Sequence, residues 1–239
     1  MIIIPARVES SRFPNKVLAK IGDIPMVIKT ALAVKEIDRV VIATDSKEVI
    51  KVAKEYGFDA IITSSNCNSG TDRIYEAATK LNLADDEIII NVQADEPFIE
   101  KEVIKTLFDL TKKYANNSEV LATTLYKIVD YASANNPNLV KVVTSKDNFA
   151  LYFSRALIPY DREAKKDKFK AHLGLYGFTY SKLKTFCQMG ESDLENIEKL
   201  EQLRILDNGY KIALQEVISH SFGIDTKEDL AKALKLHRL

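Results

Sequence analysis

The sequence is poor in the residues that mark disulfide frameworks, disordered tracts and membrane spans. Of its 239 residues, two are cysteine, eight glycine, six proline and none tryptophan. Cys67 and Cys187 lie far apart, which argues against a zinc site or disulfide framework and favours a reduced, cytoplasmic protein. No run of about 18 apolar residues occurs, so we expect no membrane insertion. The opening Met-Ile-Ile-Ile-Pro is too short for a signal peptide and lacks its basic first region.

The sequence also lacks an excess of either charge. It has 34 lysine and arginine residues against 34 aspartate and glutamate residues, which gives a formal net charge of zero. A general nucleic-acid-binding protein is usually basic, so we expect no nucleic-acid partner. A local basic pocket for phosphates remains compatible with this balance. The composition, 46% hydrophobic and 28% charged, is typical of a globular protein long enough for a well-filled core.

Short apolar runs alternate with helical patterns in the first half of the chain. Strands are expected at residues 2–5, 40–43, 60–62 and 88–92. Helices are expected at residues 26–34, 47–56, 69–81 and 102–114. This alternation predicts an α/β fold with a mostly parallel, Rossmann-like sheet covered by helices.

The second half predicts mixed or antiparallel strands added to this sheet, because some of its strands have only short connections. Strands are expected at residues 121–127, 140–144, 150–154 and 174–178, and the charged segment 161–170 is expected to be a surface loop. Apolar residues at 194, 197, 200, 203 and 206 predict one helix over 194–206. A last helix is expected over 225–236. No linker or repeat divides the chain, so we expect a single domain over 1–239.

A basic loop follows the first expected strand, where ligands bind in open parallel sheets. Residues 5–16 bring together two arginines, a lysine and two serines, a set that suits a triphosphate. The loop matches neither G-x-x-x-x-G-K-[ST] nor G-x-G-x-x-G, so a nicotinamide cofactor is not expected. Spacing alone fits a solvated basic loop equally well.

Acidic residues form two further candidate sites. Asp95 and Glu96 follow the fourth strand, where a carboxylate facing a phosphate loop would need Mg²⁺ between them. Capping of the helix that follows explains this pair equally well. Asp225, within Gly223-Ile224-Asp225-Thr226, is better interpreted from its own surroundings as the cap of the last helix.

Eight motifs occur together over nearly the whole chain, in a fixed order. They are Ile4-Pro5-Ala6-Arg7 with Ser11-Arg12-Phe13-Pro14-Asn15-Lys16, Ser69-Gly70-Thr71-Asp72-Arg73, Asn91-Val92-Gln93-Ala94-Asp95-Glu96-Pro97, Asn136-Pro137-Asn138-Leu139-Val140-Lys141-Val142-Val143, Ala150-Leu151-Tyr152-Phe153-Ser154-Arg155, His172-Leu173-Gly174-Leu175-Tyr176-Gly177, Leu200-Glu201-Gln202-Leu203-Arg204 and Gly223-Ile224-Asp225-Thr226. Each is weak alone. Together they resemble the 3-deoxy-manno-octulosonate cytidylyltransferases, also called CMP-Kdo synthetases.

The resemblance implies a nucleotide-diphospho-sugar transferase fold, a homodimer and a Mg²⁺-dependent nucleotidyltransferase. The implied reaction transfers CMP from CTP to Kdo, giving CMP-Kdo and pyrophosphate and activating Kdo for lipopolysaccharide biosynthesis. Dimerisation and the sugar pocket are expected within residues 120–205. By match to the family's motifs, three residues would hold the triphosphate: Arg7, Ser11 and Lys16. Three would help to fix the cytidine: Ser69, Gly70 and Arg73.

The same match places the metal and sugar contacts. Asp95 and Asp225 would bind Mg²⁺ and would act in catalysis with Lys16 and Arg7. The sugar pocket would be lined by Gln93, Arg155, His172, Tyr176, Glu201 and Gln202. We interpret His172 as a hydrogen-bonding pocket residue rather than a general base, since a bound metal would already lower the pKa of the sugar hydroxyl.

Three positions depart from the family's pattern. Ala94 and Asn15 stand where glycine is usual, and Asp72 stands where glutamate is usual. Ala94 would be strained if its turn needs a positive φ, whereas Asn15 suits a left-handed backbone. The sequence also leaves other functions open: a cytidylyltransferase for 8-amino-Kdo or a nonulosonic acid, an enzyme for another nucleobase, and a non-catalytic nucleotide-binding regulator.

Overall fold

The computed structural model describes residues 1–9, 13–163 and 167–237. Its strands are β1 Ile2–Ala6, β2 Lys20–Ile21, β3 Ile24–Pro25, β4 Val40–Thr44, β5 Asp59–Ile62, β6 Ile88–Asn91, β7 Val120–Asp130, β8 Lys141–Thr144, β9 Ala150–Ser154, β10 Lys168–Thr179 and β11 Lys211–Glu216. Its helices are α1 Met26–Val34, α2 Lys47–Glu55, α3 Gly70–Lys80, α4 Lys101–Tyr114, α5 Tyr131–Ala134, α6 Tyr180–Gln188, α7 Asp193–Glu198, α8 Leu203–Asp207 and α9 Lys227–His237. Over these ranges, no helix is both long enough and apolar enough to cross a membrane.

The chain divides into two compact units. The first comprises Met1–Lys105 and Ser219–Leu239, and the second comprises Thr106–Ile218. The expectation of one domain over residues 1–239, with dimerisation and sugar binding within 120–205, therefore stays a prediction.

The first unit contains a parallel sheet of four strands. β1 pairs in parallel with β4 and β6, and β4 pairs in parallel with β5, so their order is β6-β1-β4-β5. Every residue of β1 and β4 is buried. Their sequences lack polar alternation because both faces of such strands are covered. The predicted α/β class with a mostly parallel sheet is confirmed, and the ends of these strands position the candidate site.

The second unit adds antiparallel strands, as predicted. β10 pairs antiparallel with β7 and β8, and β8 pairs antiparallel with β9. β10 begins at Lys168, six residues before the expected strand, so the predicted loop over 161–170 is wrong for residues 168–170. The parallel strand β11 beside β7 was not predicted.

The single helix expected over 194–206 is wrong. α7 ends at Glu198, Lys199 adopts a left-handed φ of 53°, and α8 begins only at Leu203. Ile197, which the pattern places in the core, is 78% exposed. In contrast, Glu195 and Arg204 are buried as an ion pair, in which Arg204 Nε donates to Glu195 Oε2 at 2.7 Å. Apolar spacing missed this break because polar groups satisfy each other in the interior.

Candidate active site

The candidate site of the first unit lies at the carboxyl ends of two neighbouring parallel strands. β1 ends at Ala6 and β6 ends at Asn91, and the two strands pair directly. Because they run in the same direction, Arg7 and the segment 92–97 leave the sheet at the same edge. Arg7 is exposed there, so its guanidinium group is accessible to a ligand.

A lysine and two aspartates from distant parts of the chain form an ionic cluster in this unit. Lys16 Nζ donates to Asp95 Oδ2 at 2.6 Å and to Asp225 Oδ1 at 2.9 Å. Burial alone would lower the pKa of Lys16, but Asp95 and then Asp225 raise it above its ordinary value. The ammonium group therefore stays charged at neutral pH and neutralises part of the charge of both carboxylates.

The backbone before Lys16 has the left-handed conformation for which asparagine is suited. Asn15 has φ 56° and ψ 27°, and a 3₁₀ turn over Lys16–Leu18 follows it. Phe13 and Val17 are buried on either side and anchor this loop. The expectation that asparagine can replace glycine here is confirmed. Ser11, predicted to hold the triphosphate, lies outside the described residues.

Asp225 reaches Lys16 because the neighbouring residue caps the last helix. Asp229 N donates to Thr226 Oγ1 at 3.1 Å, and Thr226 N donates to Asp229 Oδ2 at 2.9 Å, which is a capping box. The interpretation of Asp225 as the helix cap is therefore wrong by one residue. Its carboxylate accepts a hydrogen bond from Lys16 instead.

Asp95 is likewise not a helix cap. α4 begins at Lys101, whereas Asp95 binds Lys16 and Glu96 accepts a hydrogen bond from Ser221 Oγ. The preceding Ala94 does not have a positive φ, so replacing glycine there causes no backbone strain. The turn between β6 and α4 can therefore present Asp95 without help from glycine.

Two of the predicted cytidine contacts, Ser69 and Gly70, lie at the start of α3. Ser69 is the N-cap of α3: its hydroxyl accepts a hydrogen bond from Asp72 N, and the Asp72 carboxylate accepts one from Ser69 N at 3.1 Å. Asp72 therefore completes a capping box, which is the contact that the sequence left undetermined. A Cβ atom on Gly70 would lie 3.4 Å from Pro5 Cγ and 3.5 Å from Gln93 Oε1. The structure therefore brings Ser69 and Gly70 close to the end of β1 and to Gln93.

Arg73, the third predicted cytidine contact, has partners inside the protein. It is 3% exposed, and its guanidinium group donates to Asp45 Oδ2 at 2.7 Å and to Thr63 Oγ1 at 2.6 Å. These bonds join the ends of β4 and β5 to α3. Its contact with a nucleotide stays a prediction.

Gln93 lies beside an unsatisfied buried group. Gln93 Nε2 donates to Asn91 Oδ1 at 3.3 Å. Among the described residues, Asn91 Nδ2 is the buried side-chain polar atom that has no hydrogen-bond partner. Such a donor is costly in a protein interior and is satisfied when a ligand or water supplies an acceptor. The sequence singled out Gln93 but not the donor on Asn91.

In the second unit, His172 is a neutral, buried side chain. It is 8% exposed, its Nε2 lies 2.9 Å from Thr124 Oγ1, and its ring packs edge-on against Phe153. Burial lowers the pKa of His172 to about 3. An imidazole with this pKa is a weak base at neutral pH. The geometry thus favours a hydrogen-bonding role over general-base catalysis.

Tyr176 and Glu201 lie close enough to influence each other. Burial, and then the charge of Glu201, raise the pKa of Tyr176 well above its ordinary value. The phenol therefore keeps its proton and can donate a hydrogen bond. Gln202, next in the chain, is 4% exposed. Glu201 and Gln202 occupy the turn between α7 and α8 that replaces the predicted continuous helix.

Arg155 holds the end of α7. Its Nε donates to the Glu198 carbonyl at 2.8 Å, and its Nη2 donates to the Lys199 carbonyl at 3.3 Å. The last carbonyls of a helix have no partner within the helix, so a guanidinium group there stabilises the break. Arg155 therefore supports the turn that carries Glu201 and Gln202.

Lys141 has a structural role that the sequence did not reveal. It is fully buried, and its Nζ donates to the carbonyls of Asn136 at 3.0 Å, Leu139 at 2.6 Å and Arg155 at 2.7 Å. Burial lowers its pKa below the ordinary value. All three of its hydrogens have acceptors, so Lys141 joins the loop before β8 to the backbone of Arg155 after β9.

The oxygens of Asp95 and Asp225 form a donor set that fits Mg²⁺. They converge on one nitrogen atom, which shows that a single small cation can contact both carboxylates. Mg²⁺ typically binds one or two carboxylates and completes its shell with phosphate oxygens and water. Across the described ranges, no group of three or more His, Cys, Asp or Glu side chains is arranged to hold a metal.

Comparisons with known proteins match nearly the whole chain to cytidylyltransferases. A family model described as cytidylyltransferase matches residues 1–212. The 3-deoxy-manno-octulosonate cytidylyltransferase of Nitratiruptor is 55% identical over 232 residues, covering 97% of each chain. That of Wolinella succinogenes is 47% identical over 240 residues, covering 99% of this chain and 98% of its own.

A solved structure has the same fold. It is CMP:2-keto-3-deoxy-manno-octonic acid synthetase complexed with CTP, with a TM-score of 0.88, 38% identity and coverage of 100% of this chain and 98% of that one. The chain therefore belongs to the cytidylyltransferase family and, within it, to the 3-deoxy-manno-octulosonate cytidylyltransferases.

Proposed function

We propose that the protein transfers CMP from CTP to Kdo, releasing pyrophosphate and activating the sugar for lipopolysaccharide biosynthesis. The observation that carries this proposal is the cluster of Lys16, Asp95 and Asp225 beyond the parallel strands. Relatives at 47–55% identity bear the corresponding name. We further propose that the enzyme acts in the cytoplasm as a homodimer.

In this proposal, the first unit binds the nucleotide and the metal. Lys16 and Arg7, with Ser11, hold the triphosphate oxygens and offset charge that develops on pyrophosphate as it leaves. Ser69, Gly70 and Arg73 help to fix the cytidine. The position of Ser69 and Gly70 beside the end of β1 supports their proposed contact with the cytidine. The contact proposed for Arg73 rests mainly on the family resemblance.

We propose that Asp95 and Asp225 bind Mg²⁺, which would lower the pKa of the sugar hydroxyl and screen the α-phosphate. The sugar oxygen attacks the α-phosphorus, the bond from the α-phosphorus to the oxygen shared with the β-phosphate breaks, pyrophosphate leaves with that oxygen, and the hydroxyl proton passes to solvent. The aspartates accept two of the three hydrogens of the Lys16 ammonium group, so the third can bind a triphosphate oxygen, and cation binding by the carboxylates would free the other two. The ion pair of the free protein thus keeps the two carboxylates together until cationic ligands replace it.

We propose sugar-acid contacts for Gln93 in the first unit and, within the second unit, for Arg155, His172, Tyr176, Glu201 and Gln202. Tyr176 supplies a donor that stays protonated, and Glu201 supplies an acceptor for a sugar hydroxyl. His172 contributes as a neutral imidazole, because its pKa of about 3 leaves it uncharged at neutral pH. The roles of these groups are therefore recognition and orientation of the sugar.

The test is product formation by the purified protein with Mg²⁺ and Kdo. CTP, ATP, GTP and UTP are compared by pyrophosphate release, the product is identified by mass spectrometry, and each reaction is repeated with EDTA. CMP-Kdo formed from CTP alone, and abolished by EDTA, is the expected result. Turnover only with 8-amino-Kdo or a nonulosonic acid would overturn the choice of sugar. The absence of turnover with every pair would overturn the enzymatic proposal.

A further inference from the structure

The segment that brings Asp225 to the ionic cluster has no regular secondary structure. No helix or strand includes residues 219–225, which we call the Asp225 segment. A segment of this kind is positioned by its side-chain and backbone contacts rather than by a ladder of hydrogen bonds. Four contacts tie it to residues 95–100, the turn that carries Asp95.

Glu100 makes two of these contacts. Ser219 Oγ donates to Glu100 Oε2 at 2.8 Å, and His220 N donates to Glu100 Oε1 at 2.7 Å. Burial alone would raise the pKa of Glu100, but the bonds from His220 and Ser219 hold it below its ordinary value. The group is therefore ionised at neutral pH, and both of its oxygens bind the start of the Asp225 segment.

Glu96 and the backbone of Asp95 make the other two. Ser221, which is 3% exposed, donates its hydroxyl hydrogen to Glu96 Oε2. Ile224 N donates to the carbonyl of Asp95 at 2.9 Å, and the Ile224 side chain is fully buried. Asp225 follows Ile224 directly, so the last anchor fixes the two aspartates next to each other.

We propose that Glu100 and Glu96 are positioning residues that hold Asp225 opposite Asp95, so that the two carboxylates form one divalent-cation site. This inference rests on the proposed metal role of the two aspartates. Both glutamates bind the Asp225 segment and act on Asp225 through it. Lys16 offsets the repulsion between the two carboxylates in the free protein, and the anchors keep Asp225 in place when that ammonium group moves to the triphosphate.

The aspartates and the glutamates of this site have different hydrogen-bond donors. Lys16 neutralises the aspartates from one side, while the Ser219 and Ser221 hydroxyls and the His220 amide satisfy the glutamates. These hydrogen bonds hold both glutamates on the Asp225 segment. Loosening these anchors would let Asp225 move away from Asp95 and would weaken cation binding more than nucleotide binding.

The test compares Glu100→Gln, Ser219→Ala and the double variant with the parent protein. Glu102→Gln is the matched control, because it removes the same charge from an exposed position on the first turn of α4. Two quantities are measured: Mn²⁺ affinity of the nucleotide-free protein by electron paramagnetic resonance, and the Mg²⁺ concentration that gives half-maximal turnover. Thermal unfolding of each variant without metal reports any general loss of stability.

We expect Glu100→Gln and Ser219→Ala each to weaken Mn²⁺ binding and to raise the half-maximal Mg²⁺ concentration by about 10-fold, as for other groups that orient metal ligands. The KM for CTP at saturating Mg²⁺ should stay unchanged. The double variant should be no worse than Glu100→Gln, because both changes break the same anchor. Glu102→Gln should match the parent.

Unchanged Mn²⁺ affinity in both single variants would overturn the positioning role, even if turnover of the parent confirms the proposed function. Equal losses in the KM for CTP and in Mn²⁺ affinity would also overturn it, since they indicate a general disturbance. A parent protein without turnover would overturn the proposed function alone, because the Mn²⁺ comparison remains decisive for the anchors. Ser219→Ala keeps the test valid if Glu100→Gln does not fold.

Discussion

Substitution of Lys16 by methionine separates the two roles that the ionic cluster gives to this residue. In the free protein, its ammonium group binds Asp95 at 2.6 Å and Asp225 at 2.9 Å. During turnover, we propose that it binds the triphosphate. Methionine keeps much of the length of the side chain but removes the charge, so stability and catalysis should respond differently to Mg²⁺.

The size of each effect follows from the exposure of the cluster. The side chains of Lys16, Asp95 and Asp225 are 13%, 24% and 45% exposed, between a surface pair and a buried one. Loss of Lys16 should therefore lower the free energy of unfolding by about 1–3 kcal/mol without Mg²⁺. Mg²⁺ should restore much of this loss by binding the freed carboxylates. The kcat should fall by about 10²–10³, as when one donor to a developing charge is removed.

The assay combines thermal unfolding, with and without Mg²⁺, and pyrophosphate release at saturating CTP and Kdo. Lys20→Met is the control, because it removes an equal charge from an exposed position four residues away. We expect Mg²⁺ to stabilise Lys16→Met more than it stabilises the parent or Lys20→Met. A kcat near that of the parent would remove Lys16 from the mechanism, and equal stabilisation by Mg²⁺ would refute its role as counter-ion to the aspartates.

Three further predictions concern the second unit. Burial lowers the pKa of His172 to about 3 in the folded protein, against about 6.5 for an unperturbed histidine. The unfolded chain therefore takes up a proton that the folded protein does not as the pH falls below about 6.5. Between pH 6.5 and 4, the free energy of unfolding of the parent should fall by about 3 kcal/mol more than that of His172→Gln. Chemical denaturation at each pH measures this, and equal falls for the two proteins would contradict the prediction. Gly177→Ala should lower the free energy of unfolding by about 3 kcal/mol, because its Cβ would lie 1.9 Å from Thr111 Oγ1. The control Gly174→Ala should be near neutral, because no atom lies within 4 Å of the added Cβ. Similar melting temperatures for the two variants would refute the steric argument. Glu201→Ala should raise the KM for Kdo by about 10-fold and leave the KM for CTP unchanged, and an unchanged KM for Kdo would remove Glu201 from the sugar pocket.

The parallel strands could be predicted from the sequence because hydrophobic burial determines them directly. β1 and β4 are apolar at every position or nearly so, as expected of parallel strands that are covered on both faces. The break between α7 and α8 could not be predicted in the same way. It depends on a buried pair, Glu195 and Arg204, and on Arg155, whose contacts lie about 40 residues apart along the chain. Periodicity carries no information about such polar partners.

The candidate site shows the same division. The position of Asp95 after β6 was predictable from strand order, and Asn15 was predictable from its tolerance of a left-handed backbone. The side chain of Asp225 was assigned to the wrong role by local pattern, because Asp225 and Thr226 are both good helix caps. Only the three-dimensional contact with Lys16 distinguishes them. The anchors made by Glu96 and Glu100 join residues more than 100 positions apart, and sequence spacing gives no signal for them.

The rate of CMP-Kdo formation by Asp95→Asn, Asp225→Asn and the double variant tests the central claim most directly. If the two carboxylates hold one Mg²⁺ ion between them, each single change should lower kcat by at least about 100-fold, and the double variant should be little worse than either, because the residues act as a unit. Single variants that keep rates near that of the parent, or losses that multiply in the double variant, would contradict a shared metal site.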